Sequence, residues 1–198
     1  MSTVIRTTEL EAVNYMLLSI GESPVSSLTG TSTADVSIAK EIINRVSTDV
    51  QAQGWSWNTD LNYKIIQDSN GYIPLPTDAM MADTVGNSQT KNLIERNYNG
   101  SQYLYDVENH TFDIGEAVYV DLVRIFTFES LPEVARQYIM IRSARKFQDK
   151  MIGSETSFKM LKQDEMEALS NLKNAEGENA DHNILSGHTQ FAQALLRY

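Results

Sequence analysis

The chain contains no cysteine. Disulfides, thiolate catalysis and every zinc site that needs sulfur are thereby excluded. No stretch approaches the roughly 18 consecutive apolar residues of a membrane span, and the opening MSTVIRTTEL carries no apolar core of signal-peptide length. The expectation is a protein made in a cytoplasm, without membrane contact. Phosphate-cradling motifs are missing too: no lysine follows a glycine-rich turn, and no G-x-G-x-x-G occurs. The three histidines, His110, His182 and His188, show no metal-ligand spacing and read as loop residues. No cofactor is implied.

Basic charge is also short. Sixteen Lys and Arg face 26 Asp and Glu, a formal net charge of −10, which disfavours holding nucleic acid by phosphate neutralisation. The deficit is uneven. Residues 131–152 hold five cations against two carboxylates, leaving −13 for the rest. Arg142, Lys146 and Lys150 recur every fourth residue and form a ridge on one helix. Such a ridge reads as a solvated face or as a salt-linked contact with an acidic neighbour, a second copy included.

What is present is a core's worth of apolar residues, 41% of 198, arranged with changing period. Thr8 and Glu11 have capping-box spacing, and Leu10, Val13, Leu17 and Ile20 follow on one helical face. Gly21 fits the left-handed position after a helix, and Pro24 prevents the helix from resuming. Gly21-Glu22-Ser23 lacks the second glycine of G-x-S-x-G and follows a helix rather than a strand. It is a structural joint, not a nucleophile elbow. A second helix starts near Ser32 or Thr33, with Val36, Ala39, Ile43, Val46 and Val50 as its stripe, and ends at Gly54. A short loop between two helices predicts that they lie side by side.

From Trp55 the period changes to two, placing Trp55 and Trp57 on one side of an extended segment. YKII (63–66), the turn DSNG, YIPLP, NLIERNY, SQYLYDV, HTFDI and AVYVDLVRIFTF read as β, with NG, EN and GE at hairpin turns. Pro74 and Pro76 restrict YIPLP to an edge. Helix returns at Pro132, with Val134, Tyr138, Ile141, Ala144 and Phe147 on one side. After Gly153, Phe158, Leu161, Ala168, Leu169 and Leu172 mark a fourth helix. Beyond Asn174 the chain is polar and weakly periodic, closing on Phe191, Leu195, Leu196 and Tyr198.

The organisation is α+β: two helices (1–54), a β-rich insert (55–130), two helices (131–175) and a C-terminal arm (176–198), the helices forming one antiparallel bundle. Asp106, Glu108, Asp113 and Glu116 lie near Tyr103 and Tyr105. A carboxylate pair with aromatic platforms would suit a glycan hydrolase; acidic hairpin tips also serve as plain solubilising edges. The same loop resembles a calcium loop but lacks its sixth-position glycine.

AVNYMLLSIGESPVSSL, QAQGWSWN, GYIPLPTDAM and RSARKFQDKMIGS, in this order, resemble the tail tubular protein A family of short-tailed bacteriophages, over about residues 9–175. The resemblance implies a non-enzymatic virion protein of the tail. It would form a dodecameric adaptor ring joining the portal above to the nozzle below, surround the DNA channel without binding DNA specifically, and help attach tail fibres. Under that reading Gly21 and Pro24 set the angle leaving the first helix, and Trp55 and Trp57 seat the β insert. Three contact surfaces are expected: the ridge Arg142, Lys146 and Lys150; the cluster Phe191, Leu195 and Leu196; and the hairpin tips at Gly100 and Asn109.

Overall fold

The computed structural model describes residues 6–29 and 33–187. It is α+β, with helices α1 (Glu9–Ser19), α2 (Ala34–Gln51), α3 (Glu133–Met151) and α4 (Glu155–Gly187). Between α2 and α3 run six strands: β1 (Thr59–Ile65), β2 (Ile73–Pro74), β3 (Ala79–Thr84), β4 (Leu93–Tyr98), β5 (Ser101–Asp106) and β6 (Val118–Arg124). The chain divides into two compact units. Gln51–Phe126 forms one, and the segments on either side form the other.

In the helical unit, Thr8 and Glu11 close a complete capping box at the start of α1. Thr8 Oγ1 accepts from Glu11 N at 3.2 Å, and Glu11 Oε2 accepts from Thr8 N at 2.8 Å. At the other end Gly21 takes φ +82°. Its N–H donates to Leu18 O and that of Glu22 to Leu17 O, the paired bonds of a Schellman ending that satisfy the last carbonyls. The departing loop is then pinned back. Asn14 Nδ2 donates to Val25 O at 3.0 Å, and Val25 N donates to Asn14 Oδ1 at 2.8 Å, so one side-chain amide on α1 stands in for a strand partner. The joint expected at Gly21 and Pro24 is this glycine ending followed by the Asn14 clasp.

Val36, Ala39, Ile43, Val46 and Val50 of α2 are all buried, as their spacing requires. The close partner of α1, however, is α3, not its sequence neighbour α2. On α1 the buried set is Ala12, Val13, Met16 and Leu17, while Leu10 and Ile20 are half-exposed. α3 packs on α4 in turn. Pro132 precedes α3 as its N-cap rather than its first residue. α4 does not stop at Asn174. It continues to Gly187 through Gly177 and includes His182, so the described part of the expected arm, 176–187, is helical. The interior Gly177 costs a helix only about 1 kcal/mol, which does not by itself end it. Phe191, Leu195, Leu196, Tyr198 and His188 lie outside the described residues.

The β unit is two three-stranded antiparallel sheets, in the orders β1-β6-β3 and β2-β5-β4. Alternation on β6 points Val118, Val120 and Leu122 inward. They pack with Ile65, Ile73, Leu75 and Leu104 into one apolar core. β2 is two residues long and lies at a sheet edge, as Pro74 requires. Asn99 (φ 51°) and Gly100 (φ 85°) make the tight β4–β5 turn with both central residues left-handed. At the end of β6, Arg124 donates to Asp60 of β1 at 2.6 Å and to both oxygens of Asp78 at 2.9 and 3.0 Å. The central strand thus holds β1 and the lead-in to β3 by charge as well as by ladder.

Three β expectations change. HTFDI is not a strand but a loop carrying the single bridge Asp106–Thr111. AVYVDLVRIFTF leaves the sheet after Arg124 and ends in a 3-10 turn, Phe128–Ser130. Trp55 to Asn58 is a turn rather than an extended segment, closed by Asn58 N donating to Trp55 O at 3.0 Å. The indoles nevertheless meet, stacked at 6.4 Å and 9°. β3, in AMMADT, carries no β-branched alternation and had no sequence signal.

At Gly21 a Cβ would meet nothing within 4 Å, so a side chain there is opposed by backbone conformation alone. Gly21→Ala is expected to lower unfolding free energy by about 1–2 kcal/mol, and Asn14→Ala by about 1–3 kcal/mol by leaving Val25 N–H and C=O unpaired. Urea unfolding followed by circular dichroism measures both.

Candidate interaction surfaces

The basic ridge divides on inspection. Arg142 donates from Nη1 to the Tyr138 hydroxyl at 3.0 Å, and its Nε lies 3.9 Å from Glu165. Arg145 donates to the same carboxylate, and Lys162 stands 3.7 Å from it. Lys146 reaches Asp49 of α2 at 3.3 Å. Only Lys150, exposed in the last turn of α3, makes no ion pair among the described residues. Glu165 is 6% exposed, so its charge requires these partners. Sequence reasoning passed over it, although the signal was present. Residues 158, 161, 165, 168 and 172 step by three and four, which puts Glu165 on the buried stripe of α4.

A second network joins the N-terminal segment to the start of α3. Thr7 donates from N and Oγ1 to the two Glu133 oxygens at 3.0 and 2.6 Å, and Gln137 Nε2 reaches Glu133 Oε1 at 2.8 Å and Thr7 Oγ1 at 2.6 Å. Burial alone pushes the Glu133 carboxyl up. The hydrogen bonds from Thr7 and Gln137, with the nearby Arg136 charge, outweigh it and hold the group below the ordinary glutamate range. Arg136 itself is 3% exposed. Its guanidinium donates to three backbone carbonyls, those of Leu131 at 2.8 Å, Thr7 at 3.0 Å and Glu129.

This network borders two surface depressions. A cavity of about 340 Å³ lies between α3 and α4, lined by Val134, Ile141 and Ala168 below and Asp164 and Glu167 at the rim. A second, of about 420 Å³, lies between α1 and α3, lined by half-buried Tyr15 and Met140 and by exposed Leu18 and Glu11. Glu133 and Gln137 line both. Burial, and then the negative charge of Asp164, push the Tyr15 phenol above its ordinary range. Both are apolar over part of their lining and acidic at the edge. Their residues come from three helices far apart in sequence, so no motif announces them.

In the β unit, Tyr103 and Tyr105 do share a strand face. They join Tyr72, Tyr98 and Phe112 in a five-ring cluster with centroid spacings of 4.8 to 6.4 Å, and Arg96 lies 3.9 Å over Tyr105. Two of the four neighbouring carboxylates, Asp106 and Glu116, have structural partners. Asp106 Oδ1 accepts from Glu108 N and Asn109 N at 2.9 Å each, and its Oδ2 accepts from Asn109 Nδ2 at 2.9 Å. These bonds from Asn109 hold it below the usual aspartate range. Glu116 pairs with Lys91 at 2.5 Å and is lowered by that bond. Both carboxyls are kept ionised, the reverse of what a general acid needs. The Asn109 tip is thus tied into its own loop, while the Gly100 tip is exposed. Among the described residues, no group of three acidic or histidine side chains gathers as a metal site requires, and no helix is long and apolar enough to cross a membrane.

The family model described as "Tail tubular protein" matches residues 10–182, and the chain belongs to this family, whose members are bacteriophage tail components. Among curated proteins, none matches the chain.

Because the folded-state pKa of Glu133 is depressed, its contribution is full above the ordinary glutamate pKa and is lost as pH falls through the lower folded value. Glu133→Gln is expected to cost about 1 kcal/mol at pH 7, the difference between charged and neutral acceptors. The gap to the unsubstituted chain should close in acid below about pH 4. Paired thermal melts across pH 3–7 check this.

Proposed function

We propose that the chain is an adaptor of the tail, assembled as a ring between the portal and the nozzle, with the DNA passing through it. The family match over residues 10–182 carries this reading. The charge supports it: at a net −10, the chain lets a duplex slide past without the many phosphate contacts that would hold it. The ring takes the portal's symmetry, expected to be twelvefold, through heterologous interfaces that close on themselves. Phe191, Leu195 and Leu196 dock on the portal or on an adjacent copy, and the tips at Gly100 and Asn109 meet the nozzle or a fibre. The chain performs no turnover in this role. Its site is the tail of the virion, after synthesis in the bacterial host.

The test is to mix the purified chain with portal rings from the same phage and image the mixture by electron microscopy. Added density beneath the portal, with the portal's symmetry, is the expected result. Portal rings that stay bare at micromolar protein would refute the adaptor reading.

A further inference from the structure

The two depressions of the helical unit carry charge of one sign. They share Glu133 and Gln137 of α3, with α1 beside one and α4 beside the other, and no lysine or arginine lines either. Glu133 is matched by its hydrogen bonds from Thr7 and Gln137 and by the nearby Arg136. The other three carboxylates are exposed and meet no cation among the described residues. Glu11 accepts from Thr8 alone, and Asp164 and Glu167 make no hydrogen bond or ion pair. The apolar lining is half-buried Tyr15, Val134, Met140 and Ile141, with Leu18 59% exposed. One exposed leucine needs no partner, but an apolar surface bordered by charge of one sign marks a contact site.

The dimensions say what fits. The lining runs from residue 11 to 18 on α1, 133 to 141 on α3 and 164 to 171 on α4, about two turns or 10–12 Å of each helix. The walls stand close enough that the charge of Asp164 on α4 is felt at Tyr15 on α1. Two turns of a further helix, with apolar anchors at helical spacing and cations beside them, match both the length and the charge. We infer that this surface receives a basic amphipathic helix of another protein. Its apolar stripe lies on Leu18, Met140 and Ile141, and its lysines or arginines face Glu11, Asp164 and Glu167. Among the described residues the chain has no such helix to offer a second copy. The cations of α3 turn to Glu165 and Asp49 within the fold, and those of α4 are interspersed with its own carboxylates. A contact of two helical turns is smaller than the roughly 1,200 Å² of a stable complex, so a single one is weak and exchangeable. The assignment does not depend on the adaptor reading.

The probe is a fluorescein-labelled synthetic peptide of about 14 residues, long enough to hold the docked turns, with leucine at helical spacing and lysine on the flanks. Its anisotropy is read against the full-length chain at about 0.1 M salt. Binding is expected, and a scrambled peptide of the same composition should bind at least about tenfold more weakly for want of an apolar stripe. Asp164→Lys with Glu167→Lys should weaken binding at least about tenfold through like-charge contact, and so should Leu18→Lys. Asp83→Lys with Glu108→Lys, which makes the same change of net charge in the β unit, should alter it less than about twofold. All five positions are exposed, so the variants should fold, as circular dichroism will report. No binding by the unsubstituted chain overturns the assignment. Equal binding of the scrambled peptide, or equal loss in the net-charge control, also overturns it, because attraction to the −10 total would then be the whole effect. Self-association of the chain in sedimentation, abolished by Asp164→Lys with Glu167→Lys, would put a second copy in the seat and overturn it as well.

Discussion

A unit spliced into a helical chain must begin and end at one place, and two buried amides impose that here. Gln51, fully buried, donates from Nε2 to Phe126 O at 3.0 Å and accepts from Phe126 N at 2.7 Å. Asn58, 2% exposed, donates to Gln51 O at 2.9 Å and to Arg124 O at 2.8 Å, and accepts from Trp55 N at 2.8 Å. Five backbone groups, on Gln51, Trp55, Arg124 and Phe126, are satisfied by two side chains. Apolar residues of similar size would fill the space but orphan those groups. The register of β6 against β1, and hence the core beneath them, starts from this clamp.

Elements whose signals are local were legible in the sequence. The Thr8–Glu11 box, the Gly21 ending, the α2 stripe and the Asn99-Gly100 turn each depend on residues within one or two turns of chain, and each appears as expected. Elements fixed by distant partners were not. β3 is a strand because β6 offers it an edge, and AMMADT has no preference strong enough to say so beforehand. Trp55 to Asn58 turns because Asn58 finds its partners on Gln51 and Arg124, which the alternation of two tryptophans cannot reveal. The pairing of α1 with α3 is likewise set by Thr7 and Glu133, 126 residues apart.

The same division governs the surfaces. Spacing put Arg142, Lys146 and Lys150 on one ridge, yet spacing says nothing of what stands opposite. Glu165 and Asp49 stand opposite, and the ridge becomes largely an internal tie. Tyr103 and Tyr105 were legible as a pair, but the ring cluster depends on Tyr72 and Phe112 arriving from loops. In each case chemistry was visible in the sequence and partnership was not.

Arg136 is committed to backbone carbonyls, Arg124 to Asp60 and Asp78, Arg145 to Glu165, and Lys91 to Glu116. Folding therefore consumes many of the scarce cations and leaves acidic surface in excess. Such a chain repels polyanions over most of its area, consistent with a −10 total.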